Sequence, residues 1–181
     1  MSKRIGIFGG SFDPIHHGHL IAARDAMENM RLDKVIFVPA KVSPHKLGTP
    51  PTPFAHRLNM VELAISGIDG WSVDCQEGDR SGPSYAIDTA EKIKTANPNS
   101  KLFYLIGDDQ LERLHTWERY DDLKQQVKFL VMRRHNKTDI GRSLHISSTE
   151  IRERVKARKP INFLTTDRVI SYIKELNLYK Q

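Results

Sequence analysis

The residues best equipped for chemistry lie near the N-terminus, in Gly9-Gly10-Ser11-Phe12-Asp13-Pro14-Ile15-His16-His17-Gly18-His19. Glycines let a backbone approach a ligand closely. A helix starting near His19 would add N–H groups without intrahelical partners and a positive dipole end, so the segment suits an anion, above all a phosphate. His16 and His19 can both face such a group, and imidazole N–H groups can donate to oxygens on which charge develops. The Gly-Lys-Ser/Thr of a P-loop is missing, and so is a G-x-G-x-x-G dinucleotide fingerprint. Three other uses of these residues stay open. A metal cluster could draw on His16, His17, His19 and His45, although zinc sites usually add Cys or carboxylate at regular spacing. Ser11, Asp13 and His19 could form a hydrolytic triad, but no Gly-x-Ser-x-Gly frames the serine. A purely structural turn would leave three histidines around one glycine unexplained.

A second polar group sits far along the chain, at Ser147-Ser148-Thr149-Glu150-Ile151-Arg152. Ser147 and Glu150 have the spacing of a helix capping box. The same residues offer helix N-terminal N–H groups, two further hydroxyls and Arg152 one turn in, which together would cradle a polyphosphate. The charge around them agrees. Residues 126–181 hold 13 Lys/Arg against 5 Asp/Glu, a local +8, whereas residues 1–125 hold 15 against 17. A basic third on a near-neutral body suits a polyanion, either nucleic acid or a small polyphosphate, and is equally the pattern of a solvated basic face.

Elements that would position these residues can be read from periodicity. Strands are expected at Lys3–Phe8, Lys34–Val38, Trp71–Asp74, Lys101–Ile106 and Val127–Met132. Helices are expected at His19–Met30 (apolar at Leu20, Ala23, Met27, Met30) and at Phe54–Ile65 (Phe54, Leu58, Val61, Ile65). Further helices are expected at Ser84–Thr95 (Ala86, Ala90, Ile93), Ser148–Lys156 and Asp167–Glu175, the last with a stripe of Val169, Ile173 and Leu176. Residues 40–53 read as a proline-rich loop. Strands alternating with helices imply an α/β fold with a parallel sheet covered on both faces, and ligands then bind beyond the carboxyl ends of the strands at the topological switch point. The polar segments after strands one, two, four and five should therefore gather at one edge.

The chain has 181 residues, 39% of them apolar and 28% charged, enough for one compact domain without repeats or a long linker. No apolar run approaches a membrane span, and the short apolar start does not make a signal peptide. Cys75 is the sole cysteine, which excludes an intramolecular disulfide and fits a reducing, cytoplasmic setting.

The GGSFDPIHHGH segment, with His16-x-Gly18-His19, resembles the H-x-G-H site of the nucleotidylyltransferase superfamily. Ile146-Ser147-Ser148-Thr149-Glu150-Ile151-Arg152 resembles its ISSTxIR motif. Gly107-Asp108-Asp109 followed by Trp117 is similar to a segment of one branch, bacterial nicotinate-nucleotide adenylyltransferase. Pro44-His45-Lys46, Ser84–Thr89 and the closing Val169, Tyr172-Ile173 and Leu178-Tyr179 also resemble that branch. The resemblance covers nearly the whole chain in order. It implies a single domain over 1–181, a Rossmann-like doubly wound parallel sheet with a helical C-terminal portion, and AMP transfer from ATP to nicotinate mononucleotide.

The resemblance also implies roles for residues. His16, His19 and Arg152 would be catalytic, with His19 the donor to the α-phosphate and His16 on the neighbouring phosphates. Gly9, Gly10, Ser11, Phe12 and Gly18 would complete the first ATP segment. Ile146, Ser147, Ser148 and Thr149 would hold the polyphosphate, Gly107 and Asp109 the ribose, and Arg133 or Arg134 the adenine. Ser11, His45, Lys46, Ser84, Tyr85, Ala86 and Thr89 would bind the acceptor, with Trp117 stacked on the pyridine ring. Asp13 would order its loop, through a histidine or structurally. No protein metal site is implied: Mg²⁺ would arrive with ATP and be held mainly by it. ATP and nicotinate mononucleotide are the expected partners, without nucleic acid or membrane, and a homo-oligomer is compatible with all of this. The chain departs from the branch at Ala86 (usually Thr), at His135-Asn136 (usually Pro-Gly) and at Phe163-Leu164-Thr165-Thr166 (usually Tyr-Leu-Val-Pro). The first bears on substrate choice; the others read as loop and packing changes. A basic RNA- or DNA-binding module would explain the C-terminal charge but not the histidines, and a pantetheine-phosphate enzyme would not explain the segment around Trp117.

Overall fold

A computed structural model describes residues 2–42, 50–80, 82–132 and 144–180. Five strands form one sheet: β1 (Arg4–Gly10), β2 (Lys34–Pro39), β3 (Trp71–Val73), β4 (Lys101–Gly107) and β5 (Val127–Met132). Every pairing is parallel, in the order β3-β2-β1-β4-β5. The order reverses beside β1, so the switch point lies between the exits of β1 and β4.

The strands read as near-continuous apolar runs because both faces are covered. Alternate residues divide between two cores. Phe8, Val35, Phe37, Phe103, Leu105 and Leu130 face the first, with α1 (His17–Asn29), α2 (Phe54–Ile65), α6 (Ser148–Lys156) and α7 (Asp167–Glu175). Ile5, Ile7, Ile36, Val38, Tyr104 and Ile106 face the second, with α3 (Ala86–Ala96) and α5 (Tyr120–Gln126). Between β4 and α5 lie the short α4 (Asp108–Leu111) and a 3-10 turn over Leu114–Thr116. These two segments, and α5 itself with seven residues, are too short to carry an apolar stripe, and none was legible from periodicity.

Several faces are turned from their expected setting. Helix α2 buries Arg57, Met60, Val61, Ala64 and Ile65, with Leu58 at its margin. Helix α1 starts at His17 and buries Leu20, Ala23, Asp25 and Ala26. Helix α3 starts at Ala86 because the hydroxyl of Ser84 is taken by the Lys41 and Val42 N–H groups (3.0 and 3.4 Å). Helix α7 buries Val169, Ile170 and Ile173, and leaves Leu176 exposed beyond its end.

Arg57 is the largest fully buried side chain. Its guanidinium donates to four backbone carbonyls: Thr52 (2.7 Å), Ser11 (2.7 Å), Ala40 (2.6 Å) and Lys41 (3.1 Å). Burial pulls its pKa below the ordinary arginine value, and the nearby Asp13 carboxylate opposes that pull. The side chain therefore joins the exits of β1 and β2 to the entry of α2. Replacing it by methionine would strand four carbonyls and remove a cation near the Asp13 carboxylate. R57M is expected to lower the unfolding free energy by about 3–5 kcal/mol, measured by denaturant titration.

Candidate active site

Strand β1 delivers the chain to the sheet edge at Gly9 and Gly10, and the loop that follows turns its carbonyls into the protein. Gly10 O accepts from Ala40 N–H (2.8 Å) and Ser11 O from Arg57. Asp13 O accepts from Arg152 (2.7 Å), Pro14 O from the Ser148 hydroxyl (2.8 Å) and Ile15 O from the buried Thr165 hydroxyl (2.8 Å). His16 O starts helix α1 by accepting from the His19 and Leu20 N–H groups. The Asp13 carboxylate accepts from Tyr179 Oη (2.8 Å) and Thr52 N–H (3.2 Å), so it orders the loop through a tyrosine and a backbone group. Desolvation and the Asp13 carboxylate push the Tyr179 hydroxyl well above its ordinary pKa, which keeps it a donor.

His16 and His19 stack with ring centroids 3.7 Å apart at 26°. The His16 N–H donates to His19 Nδ1 at 3.2 Å. A nitrogen that accepts carries no proton, so in the neutral ring Nε2 holds the hydrogen and becomes the donor. Phe8 and Phe12 meet the His19 ring edge-to-face, at 5.9 and 5.1 Å, and fix its plane. Gly18 makes room for the stack: a Cβ there would lie 3.0 Å from Cε1 and Nδ1 of His16.

Helix α6 brings the second motif to the same loop. Ser147 caps the helix by accepting from Glu150 N–H at 3.1 Å. Ile146 O lies 3.7 Å from the Cβ position of Gly18. Arg152 divides its donors between Asp13 O and the Thr149 hydroxyl (3.2 Å). The two histidines and the start of α6 thus share one side of the switch point.

The other predicted residues approach from the opposite face of the sheet. Tyr85, Ala86 and Trp117 pack against the second core, and Trp117 meets Tyr104 and Phe129 edge-to-face at 5.8 and 6.3 Å. Trp117 is half-buried at the end of the 3-10 turn. Two residues later, Arg119 donates to Glu91 of α3 (2.8 Å) and to Asp122 (2.8 Å). Gly107 caps α4, with Asp108 and Asp109 in its first turn and Asp109 exposed.

Two predicted contacts change character. The Phe12 side chain is 1% exposed and packs into the first core, so only its backbone is available to a ligand. Thr89 is fully buried, and its hydroxyl donates to the buried Glu77 carboxyl at 2.8 Å. His45, Lys46, Arg133 and Arg134 lie outside the described residues.

Sequence reading passed over Arg57, Glu77 and Lys41, and took Thr165 only as part of a packing change. Arg57 had a signal, since it falls three residues after Phe54 and four before Val61, on the apolar face of α2. Glu77 had none: it reads as one more charge in a polar turn. Burial raises its pKa above the usual carboxylate range, against the lowering effect of Ser84, Thr89 and Arg80.

A cytidylyltransferase-like family model matches residues 7–154. A protein of Methylacidiphilum infernorum named a probable nicotinate-nucleotide adenylyltransferase is 43% identical over 98% of this chain and 93% of its own length. The nicotinate-nucleotide adenylyltransferase of Bacillus subtilis is 38% identical over 98% of this chain and 99% of its own. The chain belongs to the nicotinate-nucleotide adenylyltransferase family. The fold is shared more widely. Plasmodium falciparum nicotinic acid mononucleotide adenylyltransferase, solved in complex with NaAD, superposes with a TM-score of 0.73 at 23% identity, over 98% of this chain and 97% of that one. Among the described residues no helix is long and apolar enough to cross a membrane.

The stack of His16 on His19 is open to a small steric change at Gly18. Alanine favours a helix more than glycine does, so G18A should leave the thermal midpoint within a few degrees of the parent. Its methyl would still press the His16 ring aside. Steady-state kinetics of nucleotidyl transfer should show kcat reduced roughly tenfold or more.

Proposed function

We propose that this chain transfers AMP from ATP to the 5′-phosphate of nicotinate mononucleotide. The products are nicotinate adenine dinucleotide and pyrophosphate, a step of NAD biosynthesis that would run in the cytoplasm. The observation that carries the reading is the convergence of His19, with Nε2 as its donor, and the α6 N-terminus on one loop. The names of full-length relatives at 38–43% identity supply the acceptor.

In the reaction an oxygen of the mononucleotide phosphate attacks the α-phosphorus in line, the P–O bond to the β-phosphate breaks, and pyrophosphate leaves with that electron pair. A phosphate nucleophile needs no strong base near neutrality, and no covalent enzyme intermediate is required. The protein's part is positioning and charge stabilisation. His19 Nε2 donates to an α-phosphate oxygen as charge grows there, and His16 faces the adjoining phosphates. The first N–H groups of α6, the Ser148 and Thr149 hydroxyls and Arg152 hold the polyphosphate. Asp109 accepts from a ribose hydroxyl, and the resemblance assigns the adenine to Arg133 or Arg134, outside the described residues. The residues present suit a metal that enters with the nucleotide. Among the described residues no three ligating side chains cluster, and the Asp13 carboxylate is occupied by Tyr179 and Thr52. Mg²⁺ bound to ATP would supply charge neutralisation for the departing pyrophosphate.

On the acceptor side, Trp117 stacks on the pyridine ring. The first turn of α3, at Tyr85 and Ala86, offers backbone N–H groups to the nicotinate carboxylate, with Ser84 beside it; the resemblance assigns His45 and Lys46, outside the described residues, to the acceptor as well. A carboxylate is acceptor-only, whereas an amide would turn its NH₂ toward one of those donors.

Pyrophosphate release with ATP, Mg²⁺ and each candidate acceptor tests the reading. Nicotinate mononucleotide is expected to exceed the nicotinamide form in kcat/KM by roughly ten- to hundredfold, the penalty of a desolvated donor left without a partner. A86T should widen that ratio by adding a hydroxyl. Use of a phosphopantetheine acceptor with neglect of both pyridine nucleotides would overturn the assignment.

His19 allows a separate test. H19A is expected to lower kcat by roughly two to three orders of magnitude, as removal of one transition-state donor does. Its thermal midpoint should stay near that of the parent, because His19 lies at the sheet edge and is only partly buried. A kcat within about threefold of the parent would remove His19 from the chemistry.

A further inference from the structure

Glu77 is an expensive residue where it stands. It is 4% exposed: Oε1 accepts from the Thr89 hydroxyl at 2.8 Å, the Ser84 hydroxyl and the Lys41 N–H also act on the carboxyl, and yet no donor in good geometry reaches the buried Oε2. A buried carboxyl with one oxygen unmet costs stability, and an apolar side chain of similar shape would serve the fold better.

The turn that carries Glu77 is held from several sides. Asp74 N–H donates to Phe37 O (2.9 Å), and the Asp74 carboxylate accepts from the backbone and side chain of Gln76 (2.8 and 3.0 Å). The turn lies flush on the start of α2, since a Cβ on Gly78 would come within 2.4 Å of the Phe54 ring. Lys41 Nζ donates to Arg80 O at 2.7 Å. Glu77 is therefore aimed inward by a fixed frame.

What it meets is the first turn of α3. No side chain caps that helix at Tyr85, and its opening backbone bond, from Thr89 N–H to Tyr85 O, is long at 3.4 Å. Tertiary contacts take the place of a cap. Lys41 N–H holds the Ser84 hydroxyl, Arg80 reaches Asp88 (3.7 Å), and Glu77 holds Thr89. Only the last is buried, where a hydrogen bond is not diluted by solvent.

We propose that Glu77 is a positioning residue for the acceptor: through the Thr89 hydroxyl it fixes the first turn of α3 against the sheet edge and so sets affinity for the mononucleotide without touching it. The inference rests on the reading that this turn faces the acceptor.

Michaelis constants for both substrates, measured on E77L, T89V and E77Q, test it. E77L and T89V each delete the contact while keeping approximate shape. Each is expected to raise KM for nicotinate mononucleotide roughly five- to tenfold, the worth of one hydrogen bond, with KM for ATP within about twofold of the parent. E77Q keeps an acceptor oxygen for Thr89 and should restore the parental acceptor KM. The thermal midpoint of E77L should match or exceed the parent's, so lost affinity would not track lost stability. If E77L does not fold, T89V reads the same contact. An acceptor KM unchanged in T89V, or an ATP KM rising in step with it, overturns the proposal. A parent enzyme without preference for the acid over the amide would instead overturn the carboxylate placement. The role of Glu77 would still be decided by the two Michaelis constants.

Discussion

A loop that is to receive an anion has to keep its carbonyl oxygens away from it. Each buried carbonyl must still find a donor, or the loop costs more than folding can spare. That accounting governs how residues 10–16 are built. The oxygens of Gly10, Ser11, Asp13, Pro14, Ile15 and His16 are taken by a neighbouring loop, a buried arginine, a second arginine, two hydroxyls and the first turn of α1. The donors come from residues 40, 57, 148, 152 and 165, so most of the chain must fold before the loop has its shape. Local turn propensity could not supply this, because Phe12 holds a left-handed φ of 46° that a bulky residue adopts only under tertiary constraint.

The C-terminal third then has a double role. Its positive charge suits a polyphosphate, yet one of its members, Arg152, turns inward to a backbone oxygen, that of Asp13. Arg152 carries five N–H donors, so bracing the loop leaves others for phosphate. The same economy appears at Thr165. Valine would fill a similar volume there but offer no donor; here the hydroxyl meets Ile15 O. The departure that read as a packing change is a hydrogen bond to the histidine loop.

Sequence patterns located what repetition makes visible. Strand β5 and helices α2, α6 and α7 have their expected limits because apolar spacing and a Ser or Thr cap mark most of those ends. The parallel sheet followed from the alternation of strands and helices, and the pairing of His16 with His19 from their spacing around Gly18. What stayed hidden were charged residues facing inward. Arg57 and Glu77 look like solvent-facing residues until the backbone shows which carbonyls and hydroxyls surround them. The setting of α2 was misread by one position for the same reason: an arginine occupies a place that periodicity reserves for an aliphatic.

Those hidden residues are the ones that connect the two sides of the sheet. Arg57 grips Ser11 O of the histidine loop together with Ala40 O and Lys41 O at the exit of β2. Lys41 in turn holds Ser84, before α3, and Arg80, in the turn that aims Glu77 at Thr89. A continuous series of buried or half-buried bonds thus runs from the proposed ATP side to the proposed acceptor side. In-line transfer between two anions gains its rate from alignment, and an error of about 1 Å can cost roughly a hundredfold. Two substrates whose supports reach the sheet edge from its opposite faces can be aligned that closely only if those supports share a rigid member. The backbone of β1 and β2 supplies part of that rigidity. The guanidinium of Arg57 supplies the part that strands cannot, because it fixes the two loops just beyond the point where the ladder of strand hydrogen bonds ends.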